Sequence, residues 1–412
     1  MRSKSASTTL ADPYRAGLTL GTTLAEIAPE VVFLFCTMHY PQRDELVAGL
    51  YDGLGDDGVV LIGASGDGFL ERSQVADIGA CALALSSNGR VRWHLAHAGN
   101  ALLQPQQALR SALAQLHSAM QGRDPAFYFL LSDFNLDASE LEIVLRDEVR
   151  VPLIGGMAAD DNSQMQHCCL FANHDIVPDA LVLLACDGPL EFQVHIGNSI
   201  ATVGSPGRVE SAHGKTVQRI DGMTAAGFVE RATGKPFMRS DQGSVSMTIL
   251  HDSHPFEKKL RAVVQNSNEL DGALKLHGGV QAGDMVQVCL ASPAQLQQEV
   301  RHIVTQARAS GFQAQAALII SCAGRKALLG GQIQFEVQAV SDAFGAELPI
   351  AGFPSFGEIG PLLLDADPAP ADLPPSSEPS LATVPGAPPR RYTRNLFHNM
   401  TYMLLLFGGC DE

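Results

Sequence analysis

An apolar strand ending in a small polar or thiol residue, then a helix-length stretch, then a second apolar strand breaking into a glycine turn: this chain repeats that pattern three times. The copies run from VVFLFC (Val31 to Cys36) to VVLIGASGDG (Val59 to Gly68), from FYFLLS (Phe127 to Ser132) to VPLIGGMAADD (Val151 to Asp161), and from ALIISC (Ala317 to Cys322) to LPIAGFPSFGE (Leu348 to Glu358). A strand that returns parallel to its neighbour needs a crossover of a dozen or more residues, and each copy has that length. The pattern therefore predicts three βαβ units. In open α/β sheets ligands bind outside the carboxyl ends of the strands, so Cys36, Ser132, Ser321 and Cys322 are expected to share a rim with the glycine turns.

The fold class that follows is α/β: two domains of mixed sheets with βαβ units and antiparallel hairpins, helices packed on the sheets. A length of 412 residues leaves room for more than one core. The net charge of -16, with no basic run longer than Lys258-Lys259 or Arg390-Arg391, excludes a phosphate-tracking nucleic-acid surface and disfavours anionic membranes. No stretch approaches the roughly 18 apolar residues of a membrane span. The start carries charge without an apolar core behind it, so it reads as a disordered tail over residues 1–14 and a cytoplasmic location is expected. Eight scattered cysteines without a CxxC pair read as reduced, mostly buried thiols.

Further along, Ser87-Asn88-Gly89 between two apolar runs predicts a hairpin. Helices are expected from about Pro105 to Met120 and from Pro293 to Ala309. HCCLFA, ALVLLACD and LEFQVHIG read as a β meander. The main boundary is placed near residue 224, giving domains 15–224 and 225–412. A segment at 364–394, rich in the eight prolines between Pro368 and Pro389, reads as a disordered loop inside the second domain, and NLFHNMTYMLLLFG as one returning strand.

Catalytic motifs are mostly excluded. Val209 stands where a P-loop ending at Gly214-Lys215-Thr216 needs glycine, and Asp67 where the nucleophile elbow does. His251 and His254 are spaced for a metal only on a helix, which Pro255 opposes. His39, just past the first strand, is better placed for ligand contact. Ser355, Phe356, Gly357 and Glu358 share one turn, in which Glu358 can take an amine or cation, while His398 and Asn399 can donate to a carboxylate or serve a metal. Arg325, just past Cys322, can hold a ligand carboxylate or pair with Glu336 as scaffolding.

GGMAADD at 155–161, RIDGM at 219–223, SCAGR at 321–325, GFPSFGEIGP at 352–361 and FHNMT at 397–401 resemble, in this order, the marks of FIST proteins, a FIST N domain followed by a FIST C domain. The first turn, Gly63-Ala64-Ser65-Gly66-Asp67-Gly68, departs from the family's usual form. The resemblance implies a bacterial signalling sensor, with Cys322, Arg325, Ser355, Phe356, Gly357, Glu358, His398, Asn399, Gly155 and Gly156 as candidate ligand-binding residues. It also implies an amino-acid-like ligand or, as in some stand-alone members, haem that senses nitric oxide and controls a histidine kinase. His398 and His39 are then the candidate haem ligands. The alternatives are an enzyme with Cys322 or Cys36 as nucleophile and His398 as base, or a ligand-free interaction scaffold.

Overall fold

The computed structural model of the chain describes residues 1–161, 166–197, 200–238, 241, 243–250, 259–265, 271–363 and 392–410. His251, His254 and residues 364–391 of the proline-rich segment lie outside them. All three βαβ units are present. Val31–Cys36 pairs parallel with Val60–Ser65, Phe127–Ser132 with Leu153–Met157, and Ala316–Cys322 with Ile350–Ser355. Each pair forms the centre of a six-stranded mixed sheet.

The three sheets turn one face toward a common core. Phe33 and Phe35 from the first, Phe129 and Leu131 from the second and Leu318 and Ile320 from the third belong to a single buried cluster. The opposite face of each sheet is covered by a helix pair: Pro13–Leu24 with Arg43–Leu54, Pro105–Met120 with Ala138–Asp147, and Pro293–Ala309 with Gln334–Phe344. Strands covered on both faces must be apolar throughout, and this is why VVFLFC, FYFLLS and ALIISC read as unbroken runs. A fourth, antiparallel sheet of seven strands between Ala201 and Leu290 curls until Ala201–His213 also pairs with Thr216–Ile220, closing a small barrel capped by the helix Ala225–Thr233.

Several expectations from the sequence change once the strands are assigned. The chain start is an edge strand: Arg2–Thr8 pairs antiparallel with Ala80–Ser86, and a helix begins at Pro13 on an Asp12 cap. The alternation of small and polar residues there hides a strand that lies half-buried at an edge. Asn88 and Gly89 do adopt the positive φ of a tight turn, but the flanking strands enter different sheets, because both edges of Ala80–Ser86 are already taken by Arg2–Thr8 and Val31–Cys36. The expected meander is likewise distributed: Leu170–Ala172, Ala180–Asp187 and Phe192–Gly197 each join a different sheet. NLFHNMTYMLLLFG is two strands, Tyr392–His398 and Tyr402–Phe407, broken where Met400 takes φ 60. Residues 392–394, expected in the loop, already belong to the first of these. Strands from beyond residue 224 complete the second sheet, since Glu358–Leu363 pairs with Leu153–Met157 and with Tyr392–His398.

Two glycine patterns set how closely these elements approach. A Cβ on Gly17 or Gly21 would lie 2.0 or 2.1 Å from a backbone carbonyl oxygen of Arg43–Leu54, and one on Gly49 would lie 2.1 Å from that of Tyr14. Two small-xxx-small faces thus let the helices cross backbone to backbone, as in other close helix pairs. Within the sheets, Gly63, Gly155 and Gly352 occupy the same place in their units, each opposite a residue of the first strand: Leu34, Leu130 and Ile319.

Candidate functional site

The rims of the three units do meet. Ala159 donates its N–H to Ser65 O at 2.8 Å and Ser65 Oγ donates to Ala159 O at 2.7 Å, joining the first turn to the second. Met157 N donates to Gly357 O at 2.8 Å, joining the second to the third, and Asp67 N donates to Pro354 O at 3.1 Å, closing the ring. The middle is packed. A Cβ on Gly66 would lie 2.8 Å from Phe353 Cβ, and one on Gly156 3.0 Å from Ile320 Cγ2.

Most of the candidate residues from the sequence converge here, as an interior. Glu358 faces Gly156 and His398 across its two neighbouring strands, and Ser355 faces Cys322. Glu358 and His398 are fully buried. Ser355 Oγ and Thr401 Oγ1 each donate to the Glu358 carboxylate at 2.6 Å. Burial outweighs those donors and lifts the Glu358 carboxyl to about 7. His398 gives Nε2 to Gly360 O at 3.2 Å, and burial lowers it to about 4. Asn399 accepts from Ala262 N at 3.0 Å and so ties this cluster to the barrel. Phe356 is half-buried, edge-on to Phe134 at 5.1 Å. Cys322 is buried, and burial pushes its thiol well up.

A carboxyl held protonated in the fold binds a proton that the unfolded chain has lost, so its contribution is full below the unfolded value of 4.5 and is lost as pH rises toward 7. His398 and His277, lowered to about 4 and about 3, act in the opposite direction below 6.5. The difference between wild type and Glu358→Gln isolates the carboxyl. We expect the variant to gain on the wild type by on the order of 2 kcal/mol between pH 4.5 and pH 8. Parallel urea midpoints across that range would refute the assignment.

Of the two roles the sequence left open for Arg325, pairing with Glu336 is the one present. Its Nε donates to Glu336 at 2.9 Å and its Nη1 to Glu299 at 2.5 Å, all three side chains being buried.

An open cleft of about 510 Å³ lies beside the ring, between the first and second units, lined by Met38, His39, Arg43, Asp160, Asp161 and His167. His39 Nδ1 lies 2.6 Å from Asp161 Oδ2, and Met38 N donates to the same oxygen at 3.2 Å. Asp160 Oδ2 accepts from Gln166 N and His167 N at 2.9 and 3.0 Å. The cleft therefore offers one guanidinium, two carboxylates and two imidazoles at the carboxyl edge of parallel strands. His39 and the two aspartates fall in stretches the sequence singled out. Arg43, at the start of a twelve-residue helix that ends at Leu54, and His167, after the second turn, carry no motif; only their position past strand ends marks them.

Haem does not fit at His398, whose ring is enclosed by paired strands. At His39 the ring is half exposed and Asp161 orients it, the arrangement that suits a ligating imidazole, although the walls are mainly polar. Among the described residues no group of three or more His, Cys, Asp or Glu is arranged to hold a metal ion, and no helix is long and apolar enough to cross a membrane.

Three βαβ units ringed at their carboxyl edges and fused to a closed barrel, with a polar cleft at that edge, define a two-part α/β protein. The chain belongs to the FIST family: the FIST N domain matches residues 30–223 and the FIST C domain residues 217–361. FIST domains are associated with sensing in signal transduction. An uncharacterized protein of Methanocaldococcus jannaschii is 36% identical over 99 residues, covering 24% of this chain and 19% of that protein. The chain thus spans about a fifth of the length of that relative. Among solved structures, PurLQS from Thermotoga maritima aligns at TM-score 0.21 with 10% identity over 99% of this chain and 72% of that one. PurL of the same organism complexed with ADP aligns at 0.19 with 10% identity, over 99% and 71%.

Proposed function

We propose that the protein senses a small zwitterionic, amino-acid-like molecule in the cleft between the first and second units, and passes its state to a partner such as a histidine kinase. The observation that carries this reading is the His39 to Asp161 contact, which bridges the two units across the cleft. A ligand ammonium drawn to Asp161, with its carboxylate on Arg43, competes with that bridge, so occupancy changes how the two rims are tied. The buried, protonated Cys322 thiol supports a non-catalytic reading, because the thiolate is the nucleophile.

The test is calorimetry of the full chain against a panel of amino acids. Charged hydrogen bonds of about 1.5–3 kcal/mol predict that Arg43→Met weakens binding roughly 10- to 150-fold, and that Asp161→Asn narrows selectivity for the free ammonium. If no member of the panel binds, or if Arg43→Met binds as well as wild type, the reading fails. Haem is the second reading, favoured by the oriented imidazole of His39. It predicts a Soret band in protein produced with haem available, lost in His39→Ala and kept in His398→Ala.

A further inference from the structure

The helix pair of the first unit carries apolar side chains on its outside as well as its inside. Leu10, Tyr14 and Leu18 recur at every fourth residue along the start of Pro13–Leu24 and are 40%, 38% and 37% exposed, while Ala16, Leu20 and Leu24 fill the core beneath. Residues four apart lie on one side of a helix, so Tyr14 and Leu18 form an outward row. The backbone under that row is fixed. Leu10 O accepts from Tyr40 Oη at 2.8 Å, Asp12 caps the helix, and a Cβ on Gly49 or Gly53 would stand 2.1 Å from Tyr14 O or 2.6 Å from Leu18 O. Beside it the helix Arg43–Leu54 exposes Asp44, Glu45 and Asp52, with Asp56 and Asp57 just beyond its end. Tyr14 Oη donates to Asp52 Oδ2 at 2.7 Å, which sets the acidic row against the apolar one. Among the described residues of the two helices, Arg15 is the only exposed cation.

We propose that this helix pair is the docking surface for the signalling partner, and that the partner presents a basic amphipathic helix to it. Apolar residues at helical spacing would lie on Leu10, Tyr14 and Leu18, with Lys or Arg on the side that meets Asp44, Glu45 and Asp52. Amphipathic helices are recognised through anchors at such spacing, and opposite charge at the rim speeds encounter and fixes register. A second copy of this chain would set the same carboxylates against these, and an anionic membrane meets the same repulsion, so charge selects a basic helix. The surface is also joined to the cleft. Arg43, which lines the cleft, is the first residue of the acidic helix, and the glycine crossings pass a shift of that helix to the apolar row. The inference rests on the reading of a separate signalling partner, but not on which ligand fills the cleft. Docking is measured without any cleft ligand, so the two readings fail separately.

The probe is a fluorescent leucine–lysine peptide patterned as an amphipathic helix, titrated into the full chain and followed by anisotropy at low and at high salt. One equivalent is expected to bind saturably, and more weakly as salt rises. Leu10→Ser and Leu18→Ser should each weaken binding roughly 10-fold, the scale of losing one partly buried leucine side chain. Combining Asp44→Asn, Glu45→Gln and Asp52→Asn should flatten the salt dependence. Leu103→Ser, at a side chain 81% exposed on the second unit, should bind as wild type. Hydrogen exchange of the unaltered protein should show peptide-dependent protection in the two helices, which reads docking without any substitution. A leucine–glutamate peptide of the same pattern should not bind. The proposal is overturned by no saturable binding, by equal binding of the glutamate peptide, by unchanged affinity in both serine variants, or by a dimer in sedimentation that Leu18→Ser dissolves.

Discussion

Arg325→Met is expected to lower the stability of the protein by about 3–5 kcal/mol, the cost of breaking a buried ion cluster by removing one partner. The guanidinium is entirely enclosed, with Glu299 on one side, Glu336 on the other and the ring of Tyr402 5.7 Å from its carbon. Methionine fills much of the volume but leaves two carboxylates facing each other without a counter-charge, and both would have to protonate or draw in water. The measurement is the urea midpoint at constant m value. Adding Glu299→Gln and Glu336→Gln to the same variant should recover most of the loss, since the cost lies in the orphaned charges and not in the missing contacts. A single variant within about 1 kcal/mol of wild type would mean that the cluster is hydrated and carries no such burden.

Gly155→Ala is expected to cost about 3 kcal/mol or more, at the upper end of overpacking effects. A Cβ there would stand 1.8 Å from Leu130 O, and the equivalent positions Gly352 and Gly63 would meet Ile319 O at 1.9 Å and Leu34 O at 2.3 Å. The obstacle is the backbone of the paired strand, which cannot rotate away as a side chain can. The same substitution at Gly331, where nothing lies within 4 Å, should change stability by no more than about 0.5 kcal/mol. Calorimetric melting of the four alanine variants, ranked by their approach distances, checks the order; equal melting temperatures for Gly155→Ala and Gly331→Ala would refute the steric account.

Much of the fold was legible because its signals are local. The βαβ units announce themselves through unbroken apolar runs a helix-length apart, and the helices Pro105–Met120 and Pro293–Ala309 through a stripe of leucine, valine and isoleucine behind a leading proline. The small-xxx-small faces of Gly17, Gly21, Gly49 and Gly53 were equally present in the sequence, but nothing in either helix alone says which partner they approach. The candidate site was legible in part. Glu358, His398, Ser355 and Cys322 do gather, yet burial makes of them a sealed junction, while the open cleft draws on Arg43 and His167, which stand in no motif.

Residue order by itself determined the three parallel units and the glycine turns that end them, because strand length, apolar period and backbone freedom are properties of short segments. Tertiary structure alone decided which sheet each neighbouring strand would enter, that Arg325 would meet two carboxylates, and that His39 would reach Asp161 across 121 intervening positions. Those outcomes depend on which edges are already occupied and which charges are already enclosed, and such competition exists only once the whole chain has packed.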